Sequence, residues 1–445
     1  LILGRPRPYA RLSEPSTMSY ETKDYPKRIG SQSPSVVKSF LSAATSYFEA
    51  VPPREATTPW QKIAYIIVAN FLGAGVLSIP FAASQLGYLL YGIALILVYL
   101  ASLLSGRAFA ACYEAVPGAR ALSDVAKEAY GKRAETGTRV LVYVYMTLVL
   151  VILHLTCSIS LERVAPGGCV VFYSIAVAAA MILVLQVRDM SEVGTMSIVG
   201  TITILGVVGI IVIALPVRGG TGGGENFFVP QAHTTLLLMA IAFMDIVFSF
   251  AGQIIYIELL SEMKQPKDFM KAMVSSNTVM FACYAVVGCL GYHYVGALKL
   301  KSGEPVTSGV ASRGSPLDRI LNALLFVHVI VAYLIEANVV ARGFLLIAGK
   351  DAMTVSQATW TLTTGLLVGF AFLISNLVPF FSAVTAFASA LCATLACWCV
   401  PCLCALKLER DFAVSLGCGE KTAMKILIPI TIVVSLVGTA ASVME

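Results

Sequence analysis

Two short clusters of small residues interrupt apolar segments of this chain and create backbone groups that could bind a ligand. Gly73-Ala74-Gly75 lies about eleven residues into one apolar segment, and Ser249-Phe250-Ala251-Gly252 interrupts another beside Asp245. An interrupted helix leaves N–H groups at the start of one half and C=O groups at the end of the other without helical partners. The N–H end suits a carboxylate, and the C=O end suits an ammonium group or a cation. The two clusters together predict a site for a zwitterion, although either cluster alone is more often a helix-packing surface.

The composition places both clusters in a lipid bilayer. The 445 residues are 58% hydrophobic and 13% charged, and the mean hydropathy is +0.82. Stretches without Asp, Glu, Lys or Arg run over 63–106, 272–298 and 352–406, and each exceeds the roughly 20 residues that cross the hydrocarbon core. This composition excludes a secreted, cytosolic or nucleic-acid-binding protein.

Hydrophobic runs and their breakers predict an all-α polytopic membrane protein with eleven transmembrane helices. The polar segment 1–59 is predicted to be a disordered N-terminal tail, and residues 60–445 form one transmembrane domain. We number the predicted helices span 1 to span 11, at 62–84, 88–112, 138–161, 169–187, 194–216, 234–260, 271–296, 318–346, 357–376, 380–404 and 424–444.

The distribution of Lys and Arg predicts the orientation of the chain. With the tail placed in the cytosol, 25 of the 31 Lys and Arg residues fall on the cytosolic side and 6 fall on the opposite side. The positive-inside bias therefore favours a cytosolic N-terminus, and an odd number of spans puts Glu445 on the other face. Contact of the cytosolic loops with anionic lipid headgroups is a secondary expectation.

The two interrupted spans occupy matching positions in the chain. Span 1 and span 6 each begin a set of five spans, and a set of five reverses its direction in the membrane on its second copy. The sequence therefore predicts a five-plus-five inverted repeat of the LeuT-like kind, with repeat one at about 62–216, repeat two at about 234–404 and one extra helix at 424–444.

Two acidic residues fall within the predicted spans. Asp245 lies beside the interruption of span 6, and Glu336 lies in span 8, past the midplane toward the cytosol. A charged side chain at the bilayer centre costs roughly 2.5 to 3.5 kcal/mol on insertion scales, so such residues face the bundle interior and usually serve a pathway. Both are candidates for a group that binds and releases a proton. The alternatives are that Glu336 pairs with Arg342 or a polar neighbour and that Asp245 caps the broken helix.

Four segments of the chain carry a resemblance to a known family. They are NFLGAGVLSIPFAASQLGY from Asn70, YEAVPGARALSDVAKEAYG from Tyr113, MDIVFSFAGQIIYIELLSEMKQPKDF from Met244 and VPFFSAVTAFASA from Val378. In this order they resemble the amino acid/auxin permease family, within the amino acid-polyamine-organocation superfamily, over roughly residues 60–406. Span 6 is similar to the plant amino acid permease and lysine/histidine transporter branches.

The resemblance implies a secondary active transporter of amino acids that works by alternating access, with the substrate backbone at the breaks in spans 1 and 6. Spans 1, 2, 6 and 7 would rock against a scaffold made mainly of spans 3, 4, 8 and 9. Phe248, Phe250 and Tyr143 are candidate walls of the side-chain pocket, and ordinary helix packing explains Tyr143 equally well. No protease motif or nucleophile elbow occurs in the sequence, so we expect neither catalytic residues nor a metal or cofactor.

The coupling ion is predicted to be a proton. In sodium-coupled relatives, hydroxyl side chains of span 8 help to bind the cation, whereas 316–349 contains neither Ser nor Thr here. A hard cation needs several oxygen ligands. The alternatives are a sodium-coupled or auxin-like carrier and, from another class, an amino acid-sensing receptor that signals through its tail. The plasma membrane and a vacuolar or lysosomal membrane both remain open.

Overall fold

The computed structural model describes residues 58–188, 190–218, 227–231, 234–296, 300, 307–377, 381–412 and 416–444. Over these residues the chain is helical, apart from connections and an isolated bridge between Thr58 and Met263. Most of the predicted N-terminal tail, residues 1–57, lies outside the described residues. The prediction of an all-α polytopic membrane protein is confirmed, because several of these helices are long and apolar enough to cross a membrane.

The helices follow one another along the chain. Two 3₁₀ turns, Gln253–Ile255 and Pro266–Asp268, and a π-helical segment, Ser389–Cys399, join α-helices. The α-helices are Trp60–Ala115, Leu122–Tyr130, Lys132–Val164, Val170–Val184, Met190–Arg218, Leu236–Ser249, Tyr256–Glu262, Phe269–Val295, Thr307–Val310, Pro316–Ile347, Gln357–Leu377, Phe381–Ala388, Val400–Phe412 and Cys418–Met444.

The described part of the chain contains nine segments that meet the length and hydropathy of a membrane span. Each of the eleven predicted spans coincides largely with helical residues, but the two counts differ for two reasons. Spans 1 and 2 lie in one helical stretch, Trp60–Ala115, that is kinked at Gly87, where φ is 68°. Span 4 corresponds to Val170–Val184, which has only 15 residues. The number eleven therefore stays a prediction.

The predicted break in span 1 is wrong, because the helix passes through Gly73, Ala74 and Gly75 without interruption. Close packing explains these glycines. A Cβ atom at Gly73 would lie 2.5 Å from Nε2 of His328 in span 8, and one at Gly75 would lie 2.8 Å from Cα of Ser249 in span 6. Small residues allow membrane helices to approach this closely, so the cluster is a contact surface of a continuous helix.

The predicted break in span 6 is present. Leu236–Ser249 begins at the N-cap Thr235, whose hydroxyl accepts a hydrogen bond from the Leu238 N–H. The helix then stops, and Phe250, Ala251 and Gly252 connect it to the turn Gln253–Ile255 and the short helix Tyr256–Glu262. We call Leu236–Ser249 span 6a and Tyr256–Glu262 span 6b.

Buried polar side chains link spans 2, 6 and 7 in one group and spans 3, 4 and 9 in another. Ser102 of span 2 donates to Asn277 of span 7 at 2.7 Å, and Gln253, just before span 6b, donates to Ser102 at 2.7 Å. In the second group, Nε2 of His154 in span 3 lies 3.0 Å from the hydroxyl of Ser174 in span 4, to which Asn376 of span 9 also donates. Buried polar groups that are satisfied in this way fix the mutual positions of helices.

Span 8 begins with residues that are typical of helix N-termini. Ser315 is the N-cap and accepts a hydrogen bond from the Asp318 N–H, and Pro316 occupies the first turn. The Asp318 carboxylate is fully buried, accepts from the Gly314 N–H at 2.9 Å and lies 3.5 Å from Arg163 at the end of span 3. This ion pair joins spans 3 and 8.

We expect Asp318→Ala to destabilise the protein by about 3 to 5 kcal/mol, because breaking a buried ion pair leaves its desolvation cost uncompensated. The measurement is the thermal unfolding midpoint of the purified protein in detergent. Asp411→Ala is the matched control, because Asp411 pairs with Lys407 on the exposed surface at 2.6 Å, where such a pair contributes about 1 kcal/mol or less. Equal midpoints for the two variants would contradict this account of span 8.

Candidate functional site

The interruption of span 6 presents backbone carbonyls to two neighbouring spans. The carbonyl of Ser249 accepts a hydrogen bond from the hydroxyl of Tyr284 in span 7 at 2.7 Å. The carbonyl of Ala251 accepts one from the hydroxyl of Tyr145 in span 3, also at 2.7 Å.

A small, partly open cavity lies against this interruption. It combines the backbone of span 6 with a few polar side chains and several apolar ones, the pattern of small-molecule sites. The cavity is lined by Asn70, Phe71, Gly75, Tyr145, Val149, Leu153, Phe248, Ala251, Gly252, Ile254 and Glu336.

The cavity is small in this conformation. Its volume is about 40 Å³, whereas one water molecule needs roughly 10 to 15 Å³. About three water-sized positions are therefore available, which is less than even the smallest amino acid requires. An amino acid would bind here only after the surrounding side chains had moved outward.

Glu336 is the acidic residue of the cavity. Its side chain is 2% exposed, and its Oε2 accepts a hydrogen bond from the Asn70 amide at 3.2 Å. Asn70 belongs to span 1 and directly precedes Phe71, which also lines the cavity. The hydrogen bond between Glu336 of span 8 and Asn70 of span 1 therefore lies at the cavity.

Asp245 occupies a different position. It is buried within span 6a, one helical turn before Ser249, whose hydroxyl donates to the Asp245 carbonyl at 2.8 Å. It is not among the residues that line the cavity. Of the two carboxyl groups predicted from the sequence, the structure brings only Glu336 to the cavity.

The predicted binding residues divide into two sets. Gly75, Phe248, Ala251 and Gly252 line the cavity. Gly73 packs against His328, and Ser249 packs against Gly75. Phe250 is fully buried in an aromatic cluster, with its ring 5.1 Å from that of Tyr284. The binding role of every residue in both sets stays a prediction.

Tyr143 does not reach the cavity. Its ring packs 5.5 Å from that of Phe344 in span 8 and lies against Gly343. The tyrosine of span 3 that lines the cavity is Tyr145, two residues further along. Since two residues correspond to about 200° around an α-helix, the two tyrosines point to opposite sides.

Several cavity residues were not predicted from the sequence. Tyr145, Val149 and Leu153 follow one another at intervals of four residues and share one face of span 3. This periodicity was visible, but in a helix that is apolar on all sides it does not indicate which face meets the site. Asn70 was visible as an amide directly before the glycine cluster.

Comparison with known proteins identifies similar chains. Residues 56–445 match the family described as "Transmembrane amino acid transporter protein". A Neurospora crassa protein named "N amino acid transport system protein" is 22% identical over 380 residues, which is 80% of this chain and 78% of that protein.

Two further relatives match a shorter part of the chain. "Amino acid permease 3" of Arabidopsis thaliana is 25% identical over 304 residues, covering 62% of this chain and 63% of that protein. A Fusarium pseudograminearum protein named "Transmembrane transporter" is 22% identical over 288 residues, covering 62% and 60%. This chain thus spans less than two thirds of these two relatives.

Proposed function

Because the chain belongs to the amino acid/auxin permease family of transmembrane amino acid transporters, we propose that it is a secondary active carrier of amino acids driven by protons. The match over residues 56–445 confirms the family predicted from the four motifs, and it makes the chain a transporter and not an enzyme. The observation that carries the proposal is the cavity in which the interruption of span 6 meets the buried Glu336.

The substrate backbone binds at the interruption of span 6. Ala251 lines the cavity, and its carbonyl suits an ammonium group, because an interrupted helix exposes partial negative charge at its carbonyl end. Phe71, Phe248 and Leu153 form apolar walls, which favour an amino acid with an uncharged side chain. Span 1 contributes through Asn70 and Gly75, without a break of its own.

Glu336 carries the coupling proton. A buried carboxyl group favours its neutral form, and exposure to water on either side of the membrane allows it to ionise. Its hydrogen bond to Asn70 of span 1 at 3.2 Å ties its state to a helix that lines the substrate cavity. A movement of span 1 on substrate binding would therefore change the surroundings of the proton site.

The contacts of span 8 support protons over sodium. Span 8 faces span 1 with the imidazole of His328 at Gly73 and the carboxyl of Glu336 at Asn70. Neither contact supplies the several oxygen ligands that a hard cation needs. The lack of Ser and Thr over 316–349 agrees with this preference.

Alternating access occurs by movement of spans 1, 2, 6 and 7 against a scaffold of spans 3, 4, 8 and 9. The two groups of buried polar contacts, one around Ser102 and one around His154, follow this division. Contacts across the division include those at the cavity, where Tyr145 meets Ala251 and Asn70 meets Glu336, and the ion pair between Arg342 of span 8 and Glu262 of span 6b. A five-plus-five inverted repeat with one additional helix is the architecture that accounts for this arrangement.

The topology proposed for the membrane has a cytosolic N-terminus and eleven spans. The charge bias of 25 to 6 among Lys and Arg residues supports this orientation. Large exposed apolar side chains such as Ile213 and Leu436 fit contact with lipid.

The test is uptake of amino acids by the purified protein in liposomes. An inward gradient of about one pH unit stores about 1.4 kcal/mol and supports about tenfold accumulation at one proton per amino acid. We expect such accumulation for at least one of the twenty labelled L-amino acids, and none above equilibrium under a sodium gradient at equal pH. Accumulation under sodium alone would overturn proton coupling, and no uptake or exchange of any amino acid would overturn the function.

A further inference from the structure

The carbonyl of Ala251 belongs to the proposed moving group, spans 1, 2, 6 and 7. It accepts a hydrogen bond from a side chain of the proposed scaffold, spans 3, 4, 8 and 9. Tyr145 lies in span 3, is 2% exposed, lines the cavity and donates its hydroxyl proton to Ala251 at 2.7 Å. This carbonyl is also the group at which the proposed function places the substrate's ammonium group. Tyr145 therefore occupies the position from which an ammonium group would donate.

The second tyrosine at the break has a different connection. Tyr284 lies in span 7, reaches the carbonyl of Ser249 at 2.7 Å and that of Phe71 at 3.1 Å, and does not line the cavity. It joins spans 1, 6 and 7, which move together in the proposed cycle. The Tyr145 bond instead joins span 3 to span 6, so it must form and break whenever the two groups of spans move apart.

We propose that the Tyr145 hydroxyl and the ammonium group of the substrate alternate as donors to the Ala251 carbonyl, so that Tyr145 closes the carrier on its unloaded return. This inference rests on the proposed function and assigns a positioning residue within it. An ammonium group is the stronger donor because it is charged, which lets the substrate displace the hydroxyl. The carbonyl then keeps a donor in both halves of the cycle, and a buried carbonyl without one is costly.

The exchange of donors has a kinetic consequence. Net uptake requires the unloaded carrier to return across the membrane, whereas exchange of internal for external amino acid uses the loaded carrier in both directions. A residue that acts only on the unloaded carrier therefore changes net uptake and leaves exchange intact. A residue that binds the substrate or merely supports the fold changes both.

The variant Tyr145→Phe tests the proposal, since it removes the hydroxyl and keeps the ring. We expect KM for external amino acid to fall about two- to tenfold, the net value of one hydrogen bond. The maximal rate of net uptake should fall by a similar factor, and the maximal rate of exchange should stay at the wild-type value. The probe is tritiated L-alanine, or the amino acid that wild-type protein accumulates fastest in the screen described above.

Tyr284→Phe is the matched control, because it removes a hydroxyl from the same break within the moving group. We expect its net uptake and exchange to change in parallel. If Tyr145→Phe is not recovered in folded form, Tyr145→Leu also removes the hydroxyl and should show the same separation of net uptake from exchange.

A raised KM, or equal losses of net uptake and exchange in the Tyr145 variants, would overturn the role of Tyr145 and leave amino acid transport standing. Failure of the wild-type protein in both modes would instead overturn the proposed function. The two failures are therefore distinguishable in one set of liposomes.

Discussion

Replacing Glu336 with Gln should abolish accumulation driven by a pH gradient while leaving exchange of amino acids intact. Gln keeps the shape of the side chain and an oxygen that can accept the hydrogen bond from Asn70, which lies 3.2 Å away in the native protein. It cannot gain or lose a proton. Under a gradient of about one pH unit we expect the accumulation ratio to fall from about ten to about one.

The measurement is the steady-state ratio of labelled amino acid inside and outside liposomes, with exchange measured in the same preparation. Glu128→Gln is the matched control, because Glu128 is exposed in the short helix Leu122–Tyr130 and should leave both values unchanged. Asp245→Asn tests the other carboxyl group that the sequence predicted as a candidate for proton coupling. Since Asp245 does not line the cavity, we expect this variant to keep pH-driven accumulation. A tenfold ratio in Glu336→Gln would remove Glu336 from the coupling mechanism.

Adding a single methyl group at Gly75 should disable the carrier. A Cβ atom there would lie 2.7 Å from Oγ and 2.8 Å from Cα of Ser249. Because the second of these is a backbone atom, spans 1 and 6 would have to move apart at the wall of the cavity. Overpacking of this kind costs about 1 to 3 kcal/mol, and we expect the exchange rate to fall by about tenfold or more, since about 1.4 kcal/mol corresponds to a factor of ten.

Gly209→Ala is the matched control for Gly75→Ala. A Cβ atom at Gly209 in span 5 would have nothing within 4 Å, so Ala should be tolerated there and should favour the helix slightly. The comparison uses exchange rates per amount of protein recovered in liposomes, together with thermal unfolding midpoints in detergent. Equal exchange rates in the two variants would contradict the close contact between spans 1 and 6.

The sequence predicted the break in span 6 but not the continuity of span 1, and the difference has a physical cause. Both clusters contain glycine and other small residues, which permit either unwinding or close approach of a neighbouring helix. Span 6a does end, at Ser249, three residues before Gly252. At Gly73 and Gly75 the glycines instead make room for His328 and Ser249, residues that are distant in sequence. Only the packed structure distinguishes these two uses of the same residue types.

Site residues of types that are rare in membrane spans could be predicted from the sequence, whereas site residues of common types could not. Glu336 stood out because a carboxyl group within an apolar span is costly, and the structure brings it to the cavity. Tyr145 and Tyr143 are both ordinary residues of a long apolar helix, and the choice between them depends on the rotation of span 3 about its axis. That rotation is set by contacts with spans 4 and 8, which the sequence of span 3 does not encode locally.

The most direct test of proton-coupled transport is to measure proton entry while amino acid flows downhill. Liposomes that contain the protein and a trapped pH-sensitive dye, with equal pH on both sides and the membrane potential clamped by potassium and valinomycin, receive the amino acid identified in the screen. We expect the interior to acidify on addition of amino acid, and to keep its pH with Glu336→Gln although the amino acid still enters. Entry of the amino acid into wild-type liposomes at unchanged internal pH would contradict proton-coupled transport.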